Sequence, residues 1–292
     1  MAETPRKSTV YLLLILGIWA CSTAVIWIRL SDVPPLLLSG WRLILSTLIL
    51  SPLAWKAWQQ ASPEQRRHAL LGTILPGIAL AAHFISWTFG ARMTEAARAT
   101  LIVNMTPLAM PFVLWLVNRE HVNRGEWIGT LVALAGVLML TLPRLDSGLS
   151  TTAGDWVCFG SMILVTFYLV LGRRSRSKGA FWLYLVPVYA WAGLFCLLAA
   201  LPFHAGEIIP ESSQWILLLA LAVIPTIVGH GLLNYSLRHT GAQQVSVFNQ
   251  TQFLFAALIA FFVFSEIPAL LFYPAALLIV IGAWITAKSL PE

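Results

Sequence analysis

Ten apolar runs, each about twenty residues long, divide this chain of 292 residues. They cover 9–29, 34–55, 70–91, 96–118, 127–143, 154–173, 181–202, 214–236, 243–264 and 268–288. A helix needs about 20 such residues to cross the hydrocarbon of a bilayer, where its backbone groups must bond to one another. The runs are continuously apolar, whereas barrel strands alternate and are about ten residues long. Connections are short, the longest being 56–69, 144–153 and 203–213, so no soluble domain fits between the runs. Only 10% of the residues are charged, against about 25% in a soluble domain. The expectation is an all-α integral membrane protein of ten transmembrane helices, with the lipid bilayer as its first partner. Arg6-Lys7 before Val10–Leu16 resembles a signal peptide. The apolar run continues to Ile28 without a small-x-small cleavage site, so it is read as a retained first helix.

The net charge of +6 is spread in short clusters between the runs. It therefore speaks of orientation in a membrane rather than of nucleic acid. With the N-terminus inside, thirteen Lys and Arg fall inside, among them Arg66, Arg67, Arg119, Arg124, Arg173, Arg174 and Arg176. Four fall outside: Arg29, Arg92, Arg98 and Arg144. Both termini are expected to be cytoplasmic, in a bacterial-type inner (plasma) membrane. Cys21, Cys158 and Cys196 lie far apart inside apolar runs and read as small buried hydrophobes.

Residues 92–120 and 238–266 run in step at an offset of 146, half the chain length. Arg92/Arg238, Thr94/Thr240, Ala96/Ala242, Leu108/Leu254, Val117/Val263 and Glu120/Glu266 are identical pairs, and Thr100/Ser246 and Asn104/Gln250 are similar ones. The register continues to Gly136/Gly282. Two five-helix repeats are expected, 1–145 and 146–292, packed as one membrane domain. Because five is odd, the second must enter the bilayer from the opposite side. Inverted repeats of this kind supply a central site and two exchangeable access states.

Several short pieces, in order, carry a family resemblance. They are the Trp19 region, Arg42 after Pro34-Pro35, Thr94-x-Ala96, Asn104-x-x-Pro107 with Glu120 at the end of its run, Gly129 and Gly136, Gly154-Asp155, and Gly241-Ala242 leading to Glu266. Over its whole length the chain resembles the drug/metabolite transporter superfamily, EamA type. The resemblance implies ten helices in two five-helix repeats and export or exchange of small metabolites across the inner membrane. The chain departs from the family where the second repeat often has Pro and here has Phe253. Polar Gln250, Thr251 and Gln252 surround that position and are expected to stand in for the break Pro107 supplies.

Polar side chains inside a membrane are costly and mark functional candidates. All twelve Asp and Glu lie in loops or at run ends. That argues against a buried-carboxylate proton exporter and leaves proton coupling to a histidine or to no residue at all, with facilitated diffusion and exchange open. His83 and Trp87 are four apart and share a helix face, as do His230 and Asn234. Asn104, Asn249, Gln250 and Gln252 offer neutral amides that suit a zwitterion. Asn249 and Gln252, three apart, can share a face that Gln250 cannot. Trp19 and Thr166 complete the cavity candidates. Each of these has a plainer reading too, as a hydrogen bond or close contact between helices. Arg42, the one mid-run cation, could neutralise a substrate carboxylate or serve structure alone, and the structural role is favoured. Arg42, Pro107, Glu120 and Glu266 are taken as structural or gating residues.

No HExxH, GxSxG, phosphate-binding glycine loop or Cys/His cluster occurs in the sequence. Neither catalysis, nor a metal, nor a cofactor is expected, and a membrane enzyme or a bare scaffold is a distant alternative. The expected function is secondary transport of a small molecule, with amino acids leading and multidrug efflux as the alternative. Oligomeric state is not legible.

Overall fold

A computed structural model describes residues 6–94, 96–141, 152–176, 181–204, 206–255, 258–259 and 270–289. Every element among them is helical. In chain order they are α1 (Lys7–Ser22), α2 (Ala24–Leu30), α3 (Pro35–Gln59), α4 (Pro63–Leu71), α5 (Ile74–Met93), α6 (Ala96–Asn104), α7 (Thr106–Asn118) and α8 (Arg124–Thr141). There follow α9 (Thr152–Arg176), α10 (Phe181–His204), a 3₁₀ turn (Ser212–Gln214), α11 (Trp215–Leu221), a π-helical segment (Ala222–His230), α12 (Gly231–His239), α13 (Ala242–Asn249) and α14 (Phe272–Lys288).

Six helical stretches among the described residues are long and apolar enough to cross a membrane: Lys7–Leu30, Pro35–Gln59, Pro63–Met93, Ala153–Gly172, Phe181–His204 and Ser212–His239. Thr106–Asn118 and Phe272–Lys288 are apolar but shorter. The expected ten-helix count is thus not established by the described residues. One reason is physical: the run 96–118 is divided at Met105, and the run 243–264 is divided after Asn249. The other is that much of the run 243–264 lies outside the described residues, as does Glu266.

The two divisions have the same hydrogen-bond pattern. Met105 N–H bonds back to the Ile102 carbonyl and Leu108 N–H to the Met105 carbonyl. At the offset of 146, Thr251 N–H bonds to Phe248 and Leu254 N–H to Thr251. Both sites exchange α-helical bonds for tighter three-residue ones. Pro107, second residue of α7, accounts for the first, since it lacks an N–H for the preceding turn. At the second, Phe253 has an N–H to give. There the Thr251 hydroxyl bonds to the Phe248 carbonyl at 2.7 Å and competes for it. Of the polar residues expected to stand in for the proline, Thr251 makes this backbone bond, whereas Gln252 bonds to the Asn249 side chain and the Gln250 side chain has no partner.

Small residues set the closest helix contacts, as in other membrane bundles. A Cβ at Gly282 would lie 2.5 Å from the Gly129 carbonyl and 2.6 Å from the Ala133 nitrogen. One at Gly136 would lie 2.6 Å from the Ala275 carbonyl. Going up α8 from Gly129 to Gly136, the partner on α14 goes down from Gly282 to Ala275, so the two helices pack antiparallel. Elsewhere Gly17 of α1 abuts Leu232 and Gly229, and Gly90 of α5 abuts Cys158 of α9. α3 and α10 meet through Gly40 on Leu197 and Gly193 on Ile44. At one end of the bundle Arg92 Nη2 donates to the carbonyls of Ile28, Ser31 and Val33. Beside it Arg29 donates to the Thr94 carbonyl, and the Thr94 hydroxyl to Asp155 Oδ1. This ties the ends of α2, α5 and α9 together.

Candidate functional site

A cavity of about 70 Å³ lies inside the bundle. Its wall includes Cys21 and Ala24 from the first apolar run, Arg42 from α3, and His83, Phe84 and Trp87 from α5. Thr100, Val103, Asn104 and Thr106 come from either side of the first helix break, and Val165 and Leu169 from α9. Pro225 and His230 of the π-helical segment, Leu233 of α12, and Val245, Ser246, Asn249 and Gln252 beside the second break complete it. Five pairs of these residues stand at the offset of 146: Phe84/His230, Trp87/Leu233, Thr100/Ser246, Val103/Asn249 and Thr106/Gln252. The second member is the more polar in the first, fourth and fifth pairs.

The π-helical segment is built around Pro225, which has no N–H for the Leu221 carbonyl. Instead the Thr226 hydroxyl donates to Leu221 O at 2.7 Å. Other carbonyls of this region are taken from neighbouring helices. Ser46 donates to Ala222 O, Tyr189 to Thr226 O and the Cys21 thiol to Pro225 O. The Thr226 oxygen, with its own proton committed, accepts both Nε and Nη2 of Arg42 at 3.0 and 2.8 Å. The guanidinium carbon sits 4.2 Å from the centre of the Phe84 ring. Arg42 is only 1% exposed, and its Nη1 has no hydrogen-bond partner.

His83 is fixed from α9. The Ser161 hydroxyl donates to the His83 carbonyl at 3.0 Å, and His83 Nδ1 lies 3.0 Å from the Ser161 carbonyl and 2.8 Å from its hydroxyl oxygen. The Ser161 carbonyl can only accept, so Nδ1 is the donor in that contact. The two imidazole centres are 6.4 Å apart, and His230 meets Phe84 edge to face at 5.0 Å. His230 Nδ1 has no partner.

A line of amides crosses from one helix break to the other. Gln252 Nε2 donates to Asn249 Oδ1, and Asn249 Nδ2 donates to Asn104 Oδ1 at 3.1 Å. Pro107 is tied to the same region, because its carbonyl accepts from Gln243 Nε2 at 3.1 Å.

The cavity thus brings together His83, Trp87, Asn104, His230, Asn249, Gln252 and Arg42. Four of the candidates lie elsewhere. Trp19 is 43% exposed on the outside of α1. α1 is apolar on every side, so no periodicity marks which face turns inward. Thr166 is buried and returns its hydroxyl to the Met162 carbonyl in its own helix. Asn234 donates to the Tyr168 hydroxyl and to the His230 carbonyl, away from the cavity wall. Gln250 is fully buried, one step off the face that carries Asn249 and Gln252. Glu120 lies just past α7 and accepts from Asn118 at 3.4 Å. Among wall residues that the sequence reading did not single out, Thr100 and Ser246 carried a signal in their repeat equivalence. Thr226, which is outside the wall but holds Arg42, carried one in following Pro225, whose lost N–H needs a substitute donor.

Neither polar atom of the Gln250 side chain has a partner. A buried amide without a bond is penalised, whereas an apolar group of similar size is not. Gln250→Leu is therefore expected to raise stability by about 1 kcal/mol, read as a higher melting temperature of the purified protein in detergent.

The sequence model of the EamA-like transporter family matches the chain twice, over residues 7–142 and 152–288. The chain belongs to the EamA-like transporter family. It is 25% identical over 279 residues to the uncharacterized transporter YdfC of Bacillus subtilis, covering 91% of this chain and 87% of that one. An uncharacterized transporter of Archaeoglobus fulgidus is 24% identical over 96% of this chain and 97% of its own. The WAT1-related protein At4g08290 of Arabidopsis thaliana is 24% identical over 77% and 67% respectively. A solved crystal structure has the same fold, with a TM-score of 0.78, 17% identity and coverage of 97% and 98%. The EamA-like protein is thus a membrane transporter and not an enzyme, and its cavity residues are read in that light.

Proposed function

We propose that the EamA-like protein is a secondary transporter that moves small metabolites, amino acids first among them, by alternating access. The observation that carries this is the convergence of five residue pairs at the offset of 146 on one cavity inside the bundle. A site shared between two halves related by inversion is reached from either side when the halves rock. The antiparallel packing of α8 on α14 supports the inversion, because Gly136 and Gly282 are repeat equivalents. The cavity has room for only a few waters, and small-molecule sites take about 300 Å³ or more. Binding a substrate therefore requires the surrounding helices to separate. The helix breaks at Met105 and Gln250–Thr251 are where bending costs least. The amides of Asn104, Asn249 and Gln252, which both donate and accept, suit a zwitterion.

Both termini are assigned to the cytoplasm of a bacterial-type inner membrane, on the thirteen-to-four distribution of Lys and Arg. The test of function is uptake by liposomes carrying the purified protein. A panel of amino acids, with and without a pH gradient, is run beside lipophilic dyes. Saturable uptake of one or more amino acids supports the reading. Dye movement alone would replace it with multidrug efflux, and no movement of either class would overturn it. His83→Ala is expected to lower uptake at least about tenfold while the protein remains monodisperse, since it removes a fixed wall group; unchanged uptake would remove His83 from the site.

A further inference from the structure

We propose that Arg42 is the anchor for a carboxylate of the transported molecule, so that the substrate is selected through its acid group. This rests on the transporter reading and names the chemistry of the same cavity. An ionised side chain buried in a membrane protein is tolerated when it is paired or fully hydrogen-bonded, and is otherwise costly by several kcal/mol. Arg42 is buried, forms part of the cavity wall, and has no carboxylate partner among the described residues. A purely structural arginine would spread its five N–H groups over nearby acceptors. The carbonyls of Leu221, Ala222, Pro225 and Thr226 lie within reach of the Thr226, Ser46, Cys21 and Tyr189 side chains, and the Arg42 side chain donates to none of them, only to the Thr226 hydroxyl oxygen. The guanidinium is left held on one edge by the Thr226 oxygen and on one face by Phe84, with Nη1 unpartnered.

That is a guanidinium kept in place with an edge in reserve. The planar fork of Arg matches a carboxylate in a way a lysine would not. The rest of the wall agrees in charge. Among the described residues it contains no Asp or Glu and no second Lys or Arg. One positive charge balances a monocarboxylate, whereas a phosphate dianion would call for more. An amine would meet an uncompensated cation. For an amino acid, the ammonium would go to the amide oxygens of Asn104, Asn249 and Gln252, which are acceptors without net charge. Thr226 is then a positioning residue, whose hydroxyl oxygen sets the angle of the fork.

The proposal is tested by binding and by flux on the same purified protein. Leucine, leucinamide, 3-methylbutylamine, 4-methylpentanoate and inorganic phosphate form a matched set of probes. In a thermal-shift measurement, leucine and 4-methylpentanoate are expected to raise the melting temperature of the wild type. The amide, the amine and phosphate leave it unchanged. Arg42→Met is expected to lose that response. Arg42→Lys, which keeps the charge without the fork, should bind the acids at least about tenfold more weakly. If Arg42→Met does not fold, Thr226→Val keeps Arg42 and should weaken acid binding while leaving the amide without effect.

Equal stabilisation by the acids and the amide overturns the proposal, as does stabilisation by phosphate alone or by none of the probes. In liposomes, the acids should move at least about tenfold faster than the amide and amine. Uptake of the amide or amine at the rate of the acids would overturn the carboxylate anchor and leave the transporter reading intact. Acid binding without flux of any probe would do the reverse.

Discussion

Gly282→Ala is expected to lower the stability of the purified protein by about 1–3 kcal/mol, the usual penalty for forcing a methyl group into a filled site. Gly282→Leu is expected to give no monodisperse protein at all. The added carbon would meet the Gly129 carbonyl at 2.5 Å, the Ala133 nitrogen at 2.6 Å and the Ala133 side chain at 2.7 Å. Two of these three atoms are backbone and cannot swing aside as a side chain would. α8 and α14 must then separate along their whole contact, which includes the Gly136–Ala275 crossing. In a bilayer such helix pairs are held by close packing rather than by exclusion of water, so a small separation forfeits much of the attraction. Gly160→Ala is the control, for a carbon there would meet nothing within 4 Å. It lies inside α9, where Ala is favoured over Gly, and should be neutral or stabilising by up to about 1 kcal/mol. Melting curves in detergent separate the outcomes. A Gly282→Ala protein as stable as wild type would mean that α8 and α14 are not packed on these residues.

The same glycines show how far the sequence could be read. Gly129, Gly136 and Gly282 were visible as parts of the family pattern and of the repeat, but which faced which depended on helix rotation. The helix breaks were also legible, the first from Pro107 and the second from the polar residues around Phe253. Six of the ten cavity candidates line the cavity, four of them as pairs whose helix spacing gives a shared face, His83 with Trp87 and Asn249 with Gln252, whereas Asn234 does not follow His230, which ends a π-helical segment, into the wall. Trp19 could not be oriented this way, since its helix is apolar all round. Gln250 shows the limit of repeat equivalence, because Asn104 lines the cavity and its partner at the same offset does not. Arg42 was read chiefly as structural. It is held by the Thr226 hydroxyl oxygen and the Phe84 ring, both on other helical segments, and neither is written in the composition of α3.

Asn249→Val is expected to reduce transport at least about tenfold while changing stability by less than about 2 kcal/mol. The substitution gives the second half the residue that the first half has at Val103. It removes the donor to Asn104 and the acceptor for Gln252, so the line of amides between the two helix breaks is cut. Hydrogen bonds between membrane helices average about 0.6 kcal/mol and reach about 1.7 kcal/mol, because the separated helices find other partners. Structural loss alone is therefore modest. The functional loss is expected to be larger because Asn249 is itself part of the cavity wall. Once it is gone, Gln252 and Asn104 each lose a partner inside the bundle, and a substrate ammonium loses one acceptor. A tenfold effect on affinity corresponds to about 1.4 kcal/mol, roughly one charge-assisted hydrogen bond. Uptake kinetics in liposomes, set beside melting curves, distinguish the two contributions. A fall in uptake no larger than the stability change explains would assign Asn249 to helix pairing alone. A large fall with an intact fold would place substrate selection on the second half, where His230 and Asn249 replace Phe84 and Val103 of the first.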